Sequence, residues 1–265
     1  MSYNFRYLYK KIICYKNNFM KKYNRVIYKN NPLEKVLIQL KFPPILLIDS
    51  QKPEDFQDKI RKTFPYYDSF VNNSSNNNVL QDMKKNYIFR KNQNGNEYII
   101  LNRDSISLTT DKYDKWENFK GNFKLALDFF ESIYKPNLYT RIGLRYIDII
   151  SLKKLKLKET KYKWNDLINE KYLGFLSGEF EKKIIYNKNQ YIIKLDNKNN
   201  NANISTSIEK RDYDNNCFCI DTDFSFIGEV NSNEIEKHIN CLHSYSRPIF
   251  RDIITEKLHK ILEAN

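Results

Sequence analysis

Residues 139–150, which read YTRIGLRYIDII, constrain the fold of this chain more than any other stretch. They alternate apolar and polar side chains and are rich in Ile and Tyr, which is typical of a β-strand with two different faces. Side chains alternate across a strand, so one face should carry Tyr139, Arg141, Gly143, Arg145 and Ile147. The other face should carry Ile142, Leu144 and Tyr146. The sequence therefore predicts a sheet on which two arginines flank a bare glycine.

The elements around this strand predict a fold that repeats itself. Residues 32–137 read as strand, helix, several strands and long helix, and residues 138–265 show the same order. Short turns such as Asn94-Gly95 favour antiparallel sheets with the helices packed on one side. We therefore predict a pseudo-duplicated α+β fold whose halves, 32–137 and 138–265, pack together as one unit. Residues 1–31 are predicted to be a basic N-terminal extension.

Individual elements follow from local patterns. Strands are predicted at residues 36–42, 87–91, 97–101, 105–109, 179–186, 191–195, 204–211 and 217–226. Aromatic residues at spacings of three and four between Trp116 and Tyr134 predict a helix with one heavily aromatic face. Asn231 and Glu234 resemble a capping box, and the long helix that they open should kink at Pro248.

Positive charge is concentrated at the N-terminus. The chain has a formal net charge of +13, and residues 1–31 hold eight Lys and Arg but no Asp or Glu. Such a segment suits a phosphate backbone, so one hypothesis is a nucleic-acid-binding protein. Its contacts would come from Lys10, Lys11, Lys16, Lys21, Lys22 and Arg25. The alternatives are a weakly ordered tail or a translation start at Met20.

The cysteine content and the hydropathy of the chain indicate where in the cell the protein is expected. Four scattered cysteines are too few for a disulfide framework. No apolar run approaches the roughly 20 residues that cross a bilayer, and no secretory signal is recognisable. We therefore expect a cytoplasmic protein with no membrane span. We expect no cofactor, because the sequence has no phosphate-binding glycine loop and no complete catalytic motif.

Two groups of residues could hold a metal. Asp221 and Asp223 lie two apart in a predicted strand, and paired carboxylates can bind Mg²⁺. A further hypothesis is therefore a divalent-metal-dependent enzyme acting on a phosphate-containing substrate. Zinc ligands are superficially offered by Cys217, Cys219, His238, Cys241 and His243. Their spacing lacks the usual knuckle geometry, and His243 reads better as a hydrogen-bonded helix residue.

Arg141 and Arg145 admit two interpretations. Guanidinium groups bind phosphates and carboxylates bidentately, and Gly143 would let a ligand approach the backbone. The alternative is structural, with each arginine paired to an acid of a neighbouring element. We expect one of each: Arg145 is predicted to be structural, and Arg141 is predicted to be available to a partner.

Three segments, NPLEKVLIQLKF, SLTTDKYDKWENF and RIGLRYIDII, together resemble a sporadically distributed, uncharacterised family of bacterial and archaeal proteins. The later segments IDTDF and CLHSYSRPIFRDIIT are similar to the C-terminal pattern of that family. The resemblance runs from about residue 32 to the C-terminus. It implies no activity, but the scattered distribution of the family implies accessory genes, including defence modules.

The lack of a complete catalytic constellation favours a binding protein over an enzyme. The leading prediction is a non-enzymatic binding or regulatory component of an accessory, defence-associated operon. Its ligand or protein-partner surface is expected around Arg141, Gly143, Arg145 and Tyr146, and its partner is expected to be a protein encoded nearby. The sequence leaves the oligomeric state open.

Overall fold

The fold is seen in a computed structural model of the chain. It describes residues 23–71, 84–158, 160–177, 183–184, 186–196 and 198–263. Five of the predicted nucleic-acid-binding residues, Lys10, Lys11, Lys16, Lys21 and Lys22, lie outside the described residues. The first described segment, residues 23–32, leads into a nine-stranded antiparallel sheet.

Among the described residues, the first half of the chain contributes five strands and three helices. These elements are β1 (Leu33–Lys41), α1 (Leu46–Ser50), α2 (Glu54–Ile60), β2 (Tyr66–Val71), β3 (Lys85–Arg90), β4 (Glu97–Asn102), β5 (Ser105–Thr110) and α3 (Trp116–Tyr134). Gly95 adopts a φ of 68° in the turn between β3 and β4, as the Asn-Gly pair predicts. Helix α3 buries Trp116, Phe119, Phe123 and Phe130, so its predicted aromatic face is confirmed.

The second half repeats this order with one strand fewer. It consists of β6 (Tyr139–Ser151), α4 (Trp164–Leu167), β7 (Lys188–Lys194), β8 (Asn200–Arg211), β9 (Asp214–Val230), α5 (Ile235–Ile253) and α6 (Glu256–Glu263). Two short 3₁₀ turns, Glu170–Tyr172 and Gly174–Ser177, follow α4. Another 3₁₀ turn, Ser232–Glu234, precedes α5.

The sheet order shows how the two halves join. The strands lie in the order β2-β3-β4-β5-β1-β6-β9-β8-β7. In each half the first strand pairs with the last, β1 with β5 and β6 with β9, and β1 pairs with β6 across the middle. The predicted α+β fold with antiparallel pairing is confirmed, as a single sheet that crosses from one half to the other.

The helices pack on one face of this sheet. Helix α3 contacts β5, and α5 contacts both β6 and β9. On the covered face the central strands bury their apolar side chains completely, among them Val36, Ile38, Leu40, Ile142 and Leu144. The opposite face of the central strands is polar, because β6 and β9 carry charged residues there. Alternation along β6 therefore separates a core side from a polar side.

Several sequence predictions are wrong in detail. The chain forms β2 at residues 66–71, where no strand was predicted. Lys183 lies in a 3₁₀ turn rather than in the strand predicted at residues 179–186, most of which is outside the described residues. The strand predicted at residues 204–211 begins earlier, because β8 starts at Asn200.

Two further corrections concern helix and strand geometry. The predicted long helix is divided into α5, which contains Pro248, and α6. The break comes at Ile254 and Thr255, where the Thr255 hydroxyl accepts a hydrogen bond from the Leu258 N–H at 3.2 Å. The kink at Pro248 stays a prediction. Tyr139 does not share the polar face with Arg141. It is fully buried against Phe42, because the register of the β6–β9 pair shifts between Tyr139 and Arg141.

Candidate ligand-binding site

The polar face of β6 carries two ion pairs. The Arg141 guanidinium donates to both carboxylate oxygens of Asp223 at 2.7 and 2.9 Å. The Arg145 guanidinium donates to Asp221 from Nε at 2.7 Å and from Nη2 at 2.5 Å. In the β6–β9 register Asp223 lies across from Arg145, and Asp221 lies across from Ile147. Arg145 therefore pairs with Asp221 diagonally, two residues along the strand, and Arg141 reaches past Gly143 to Asp223, four residues along.

These pairs correct the expectation for Arg141. It was predicted to be free of carboxylate partners, but it is the more sheltered of the two arginines, with 20% of its side chain exposed against 45% for Arg145. Asp221 and Asp223 do point to one face, as predicted, yet each binds a guanidinium. In the part of the chain that the structure describes, no group of three His, Cys, Asp or Glu side chains could hold a metal ion.

Gly143 makes room for the Arg141 side chain rather than for a ligand. A Cβ built on Gly143 would collide with the guanidinium, with Cζ of Arg141 only 2.9 Å away. Because the guanidinium lies over the glycine, it reaches Asp223 and comes within 3.5 Å of Gln39 Oε1 on β1. The absence of a side chain at Gly143 therefore allows the ion pair to form.

A double-mutant cycle tests this role of Gly143. Gly143→Ala should lower the free energy of unfolding by about 1 kcal/mol, because the new methyl group displaces Arg141 from Asp223. In an Arg141→Ala background the same change should raise stability by roughly 0.5 kcal/mol, because glycine is unfavourable in a strand interior. Urea denaturation of the four proteins gives the coupling. Equal effects in both backgrounds would contradict the steric explanation.

Tyr146 lies on the helix-covered face, away from the two arginines. Its hydroxyl forms a 2.7 Å hydrogen bond with Nδ1 of His243 on α5. The His243 ring stacks on Trp116, the first residue of α3, with the centroids 4.0 Å apart and the planes inclined by 8°. Burial, and then the charge of Arg247, lowers the pKa of His243 to about 4. His243 is therefore a neutral, hydrogen-bonded helix residue near pH 7, as the sequence indicated.

Asp148 follows on the same face and has an unusual environment. The residue is only 8% exposed, and no hydrogen bond or ion pair reaches its carboxyl group from the described residues. Burial raises the pKa of Asp148 from its ordinary value of 3.8 to about 7. Buried carboxyl groups in proteins are normally paired, because desolvation of the charge is unfavourable. The unpaired carboxyl of Asp148 marks this position as the centre of a candidate site.

A cavity of about 180 Å³ opens beside Asp148. It lies between the segment before β1, the start of α3 and the middle of α5. Its inner end is formed by Tyr146, Asp148 and Thr222, which are all buried. Tyr28, Tyr113, Trp116 and Phe250 contribute aromatic surface to the wall.

The segment before β1 is held over this cavity by specific contacts. Arg25 forms a two-point ion pair with Glu117 of α3, with distances of 3.0 and 3.2 Å. The Tyr28 hydroxyl forms a 2.9 Å hydrogen bond with Nδ1 of His259 on α6. The Ile149 N–H, next to Asp148, donates to the Pro32 carbonyl at 2.8 Å. Arg25, one of the predicted nucleic-acid residues, is therefore engaged within the fold.

The other sequence candidates do not meet at this cavity. Cys217 and Cys219 pack with Ile149 in a small cluster on the opposite face of the sheet. The His238 ring packs against Phe226, with the centroids 4.1 Å apart. Sequence reasoning missed Asp148, although the alternation of residues 139–150 puts this acid on the same side as Ile142 and Leu144. An acid on the apolar side of a strand was the available signal.

Comparisons with known proteins add no relationship. The chain matches no protein-family profile, no curated protein and no solved structure at a significant level. The resemblance to an uncharacterised bacterial and archaeal family therefore stays a prediction. None of the described helices combines the length and the hydrophobicity needed to cross a membrane.

Proposed function

We propose that the protein is a binding or regulatory component that is not an enzyme and that holds a small ligand in the cavity beside β6. The observation that carries this proposal is Asp148, which is largely buried, has no hydrogen bond or ion pair to its carboxyl group from the described residues, and lines an aromatic-walled cavity. Cavities with few convergent polar groups on apolar walls are the usual form of small-molecule sites. A carboxyl group with a raised pKa in such a cavity supports a binding role.

The proposed site lies on the strand predicted from the sequence, β6, but on its helix-covered face and not on the face of the two arginines. Tyr146 belongs to the ligand site, whereas Arg141, Gly143 and Arg145 join β6 to β9 on the other side of the sheet. A cytoplasmic setting, an accessory or defence-associated operon and a protein partner encoded nearby are parts of the same proposal. They are supported by the sequence composition and the family resemblance.

Ligand retention by matched variants tests the proposal. Purified wild-type protein, Asp148→Asn and Asp223→Asn are each incubated with a small-molecule extract of the native host and washed. Bound compounds are then released and identified by mass spectrometry. We expect one compound to be retained by the wild-type protein and by Asp223→Asn, and to be reduced at least tenfold in Asp148→Asn. Retention of no compound, or loss in Asp223→Asn alone, would overturn the cavity as the binding site.

A further inference from the structure

The inner end of the cavity offers one charge and no countercharge. Asp148 lies directly across from Leu33 in the β1–β6 pairing, and the neighbouring Thr222 of β9 lies across from Tyr146. Desolvation alone accounts for the raised pKa of the Asp148 carboxyl group, and no Lys or Arg among the described residues counteracts this rise. A ligand that supplied a positive charge here would provide the partner that a buried carboxylate ordinarily has in proteins.

The walls of the cavity also suit a positive charge. Aromatic faces attract cations through their quadrupole, and the aromatic rings of Tyr28, Tyr113, Trp116 and Phe250 line the cavity. His243 could have opposed a cation, but burial keeps it neutral near pH 7 and Tyr146 holds its Nδ1. The lining beside Asp148 therefore combines one carboxyl group with aromatic rings and the neutral imidazole of His243.

The outer end restricts the ligand to a single positive charge. Arg25, Asp114, Lys115 and Arg247 also line the cavity. Arg25 is neutralised by Glu117, and Lys115 interacts with the neighbouring Asp114 carboxylate. The positive charge of Arg247 would repel a second cationic group on the same molecule. The volume of about 180 Å³ is below the usual range for drug-sized ligands, which selects a small molecule.

We infer that the cavity binds a small organic monocation, an amine or guanidine, with its charged nitrogen on the Asp148 carboxylate. This inference rests on the proposed function and names the ligand class for the same site. It excludes polyamines, because of the positive charge of Arg247, and neutral molecules of the same shape, because they leave Asp148 unpaired.

The groups around Asp148 give this binding a defined pH dependence. The titratable and charged groups that line the cavity are Arg25, Tyr28, Tyr113, Asp114, Lys115, Tyr146, His243 and Arg247. Burial raises the pKa of Tyr28, of Tyr113 and of Tyr146, that of Tyr113 to about 12, whereas hydrogen bonds lower that of Asp114 against the effect of burial. Among the groups with a shifted pKa, Asp148 is the one that titrates near pH 7. Because the cation requires the ionised carboxylate, binding should strengthen as the pH rises through about 7.

The probes are benzylamine, the isosteric benzyl alcohol and spermidine, measured by isothermal titration calorimetry and saturation-transfer NMR on the full chain. Benzylamine should bind the wild-type protein with a dissociation constant at least tenfold lower at about pH 8 than at about pH 5.5. Benzyl alcohol and spermidine should each bind at least tenfold more weakly than benzylamine at the higher pH. Asp148→Asn should abolish both the tight binding and its pH dependence, and Asp223→Asn should leave them unchanged.

The outcomes separate this inference from the proposed function. Equal binding of benzylamine and benzyl alcohol to the wild-type protein would overturn the cation inference without depending on any variant. Asp148-dependent retention of a compound that lacks a basic nitrogen would also overturn it, while the proposed function would stand. Retention of no compound from the extract would overturn the proposed function, and the absence of benzylamine binding would in addition overturn the cation inference.

Discussion

Replacing Asp148 with asparagine should stabilise the protein by about 2 kcal/mol at about pH 8, because the variant no longer buries an unpaired charge. The folded-state pKa of Asp148 lies near 7, above the ordinary value of 3.8, so the folded protein binds the proton more tightly than the unfolded chain does. The stability that comes from this tighter proton binding is fully present below about pH 4, and it is lost as the pH rises to about 7. A shift of this size is worth at most roughly 4 kcal/mol. Part of that gain is lost because the new amide is itself partly buried without partners.

Chemical denaturation of the wild-type protein and Asp148→Asn at several pH values measures this effect. The difference in free energy of unfolding should grow from about pH 4 to about pH 7 and then level off. Taking the difference at each pH cancels the titration of His243, whose lowered pKa acts in the opposite direction. Asp223→Asn is the matched control, and it should destabilise the protein because Arg141 loses its partner. If Asp148→Asn had a lower free energy of unfolding than the wild-type protein at both about pH 4 and about pH 8, the conclusion that the Asp148 carboxyl group is unpaired would be wrong.

Leu144→Ala should lower the free energy of unfolding by about 3 kcal/mol, whereas Arg145→Ala on the next residue should lower it by no more than about 1 kcal/mol. Leu144 is completely buried under α5, at the centre of the strand that joins the two halves. Its truncation leaves a cavity in a close-packed layer. Arg145 lies on the polar face with 45% of its side chain exposed, so its ion pair with Asp221 is screened by solvent.

Urea denaturation of both variants compares the two faces of β6 directly. Because they are adjacent in sequence, differences in strand propensity or chain position contribute little to the comparison. A one-residue slip of β6 in the sheet would exchange the two faces and reverse the order of the effects. Equal effects, or a larger effect for Arg145→Ala, would show that the assignment of the two faces is wrong.

The face assignment of β6 is also where sequence and structure can be compared. Alternation predicted that Arg141 and Arg145 share one face and that Leu144 and Tyr146 share the other, and the structure agrees. It failed at Tyr139, because the shift in register that turns this ring into the core depends on how β9 pairs with β6. Strand periodicity is a local property, but an irregular pairing involves residues about ninety positions apart.

The helices also differ in how much of their structure could be predicted from the sequence. The aromatic spacing of α3 determined its extent and its buried face, because periods of three and four align side chains on a helix. The end of α5 at Ile253 was not predicted, because the apolar spacing of the sequence continues into α6 and indicated one long helix. This end coincides with a bridge between Ile254 and Ile168 and a hydrogen bond from the Thr255 hydroxyl to the Asp166 carbonyl.

The sequence by itself determined the α+β class, the antiparallel pairing of neighbouring strands and the two-faced character of β6, because each of these follows from patterns within a few residues. The tertiary structure alone decided which acids neutralise the arginines and which residues surround Asp148. Those contacts join β6 to β9 across 76 and 82 residues, and β6 to α5 across 97. Residues so far apart in the sequence come into contact only when the whole sheet forms. The burial that raises the pKa of Asp148 is likewise produced by all the elements that pack around it.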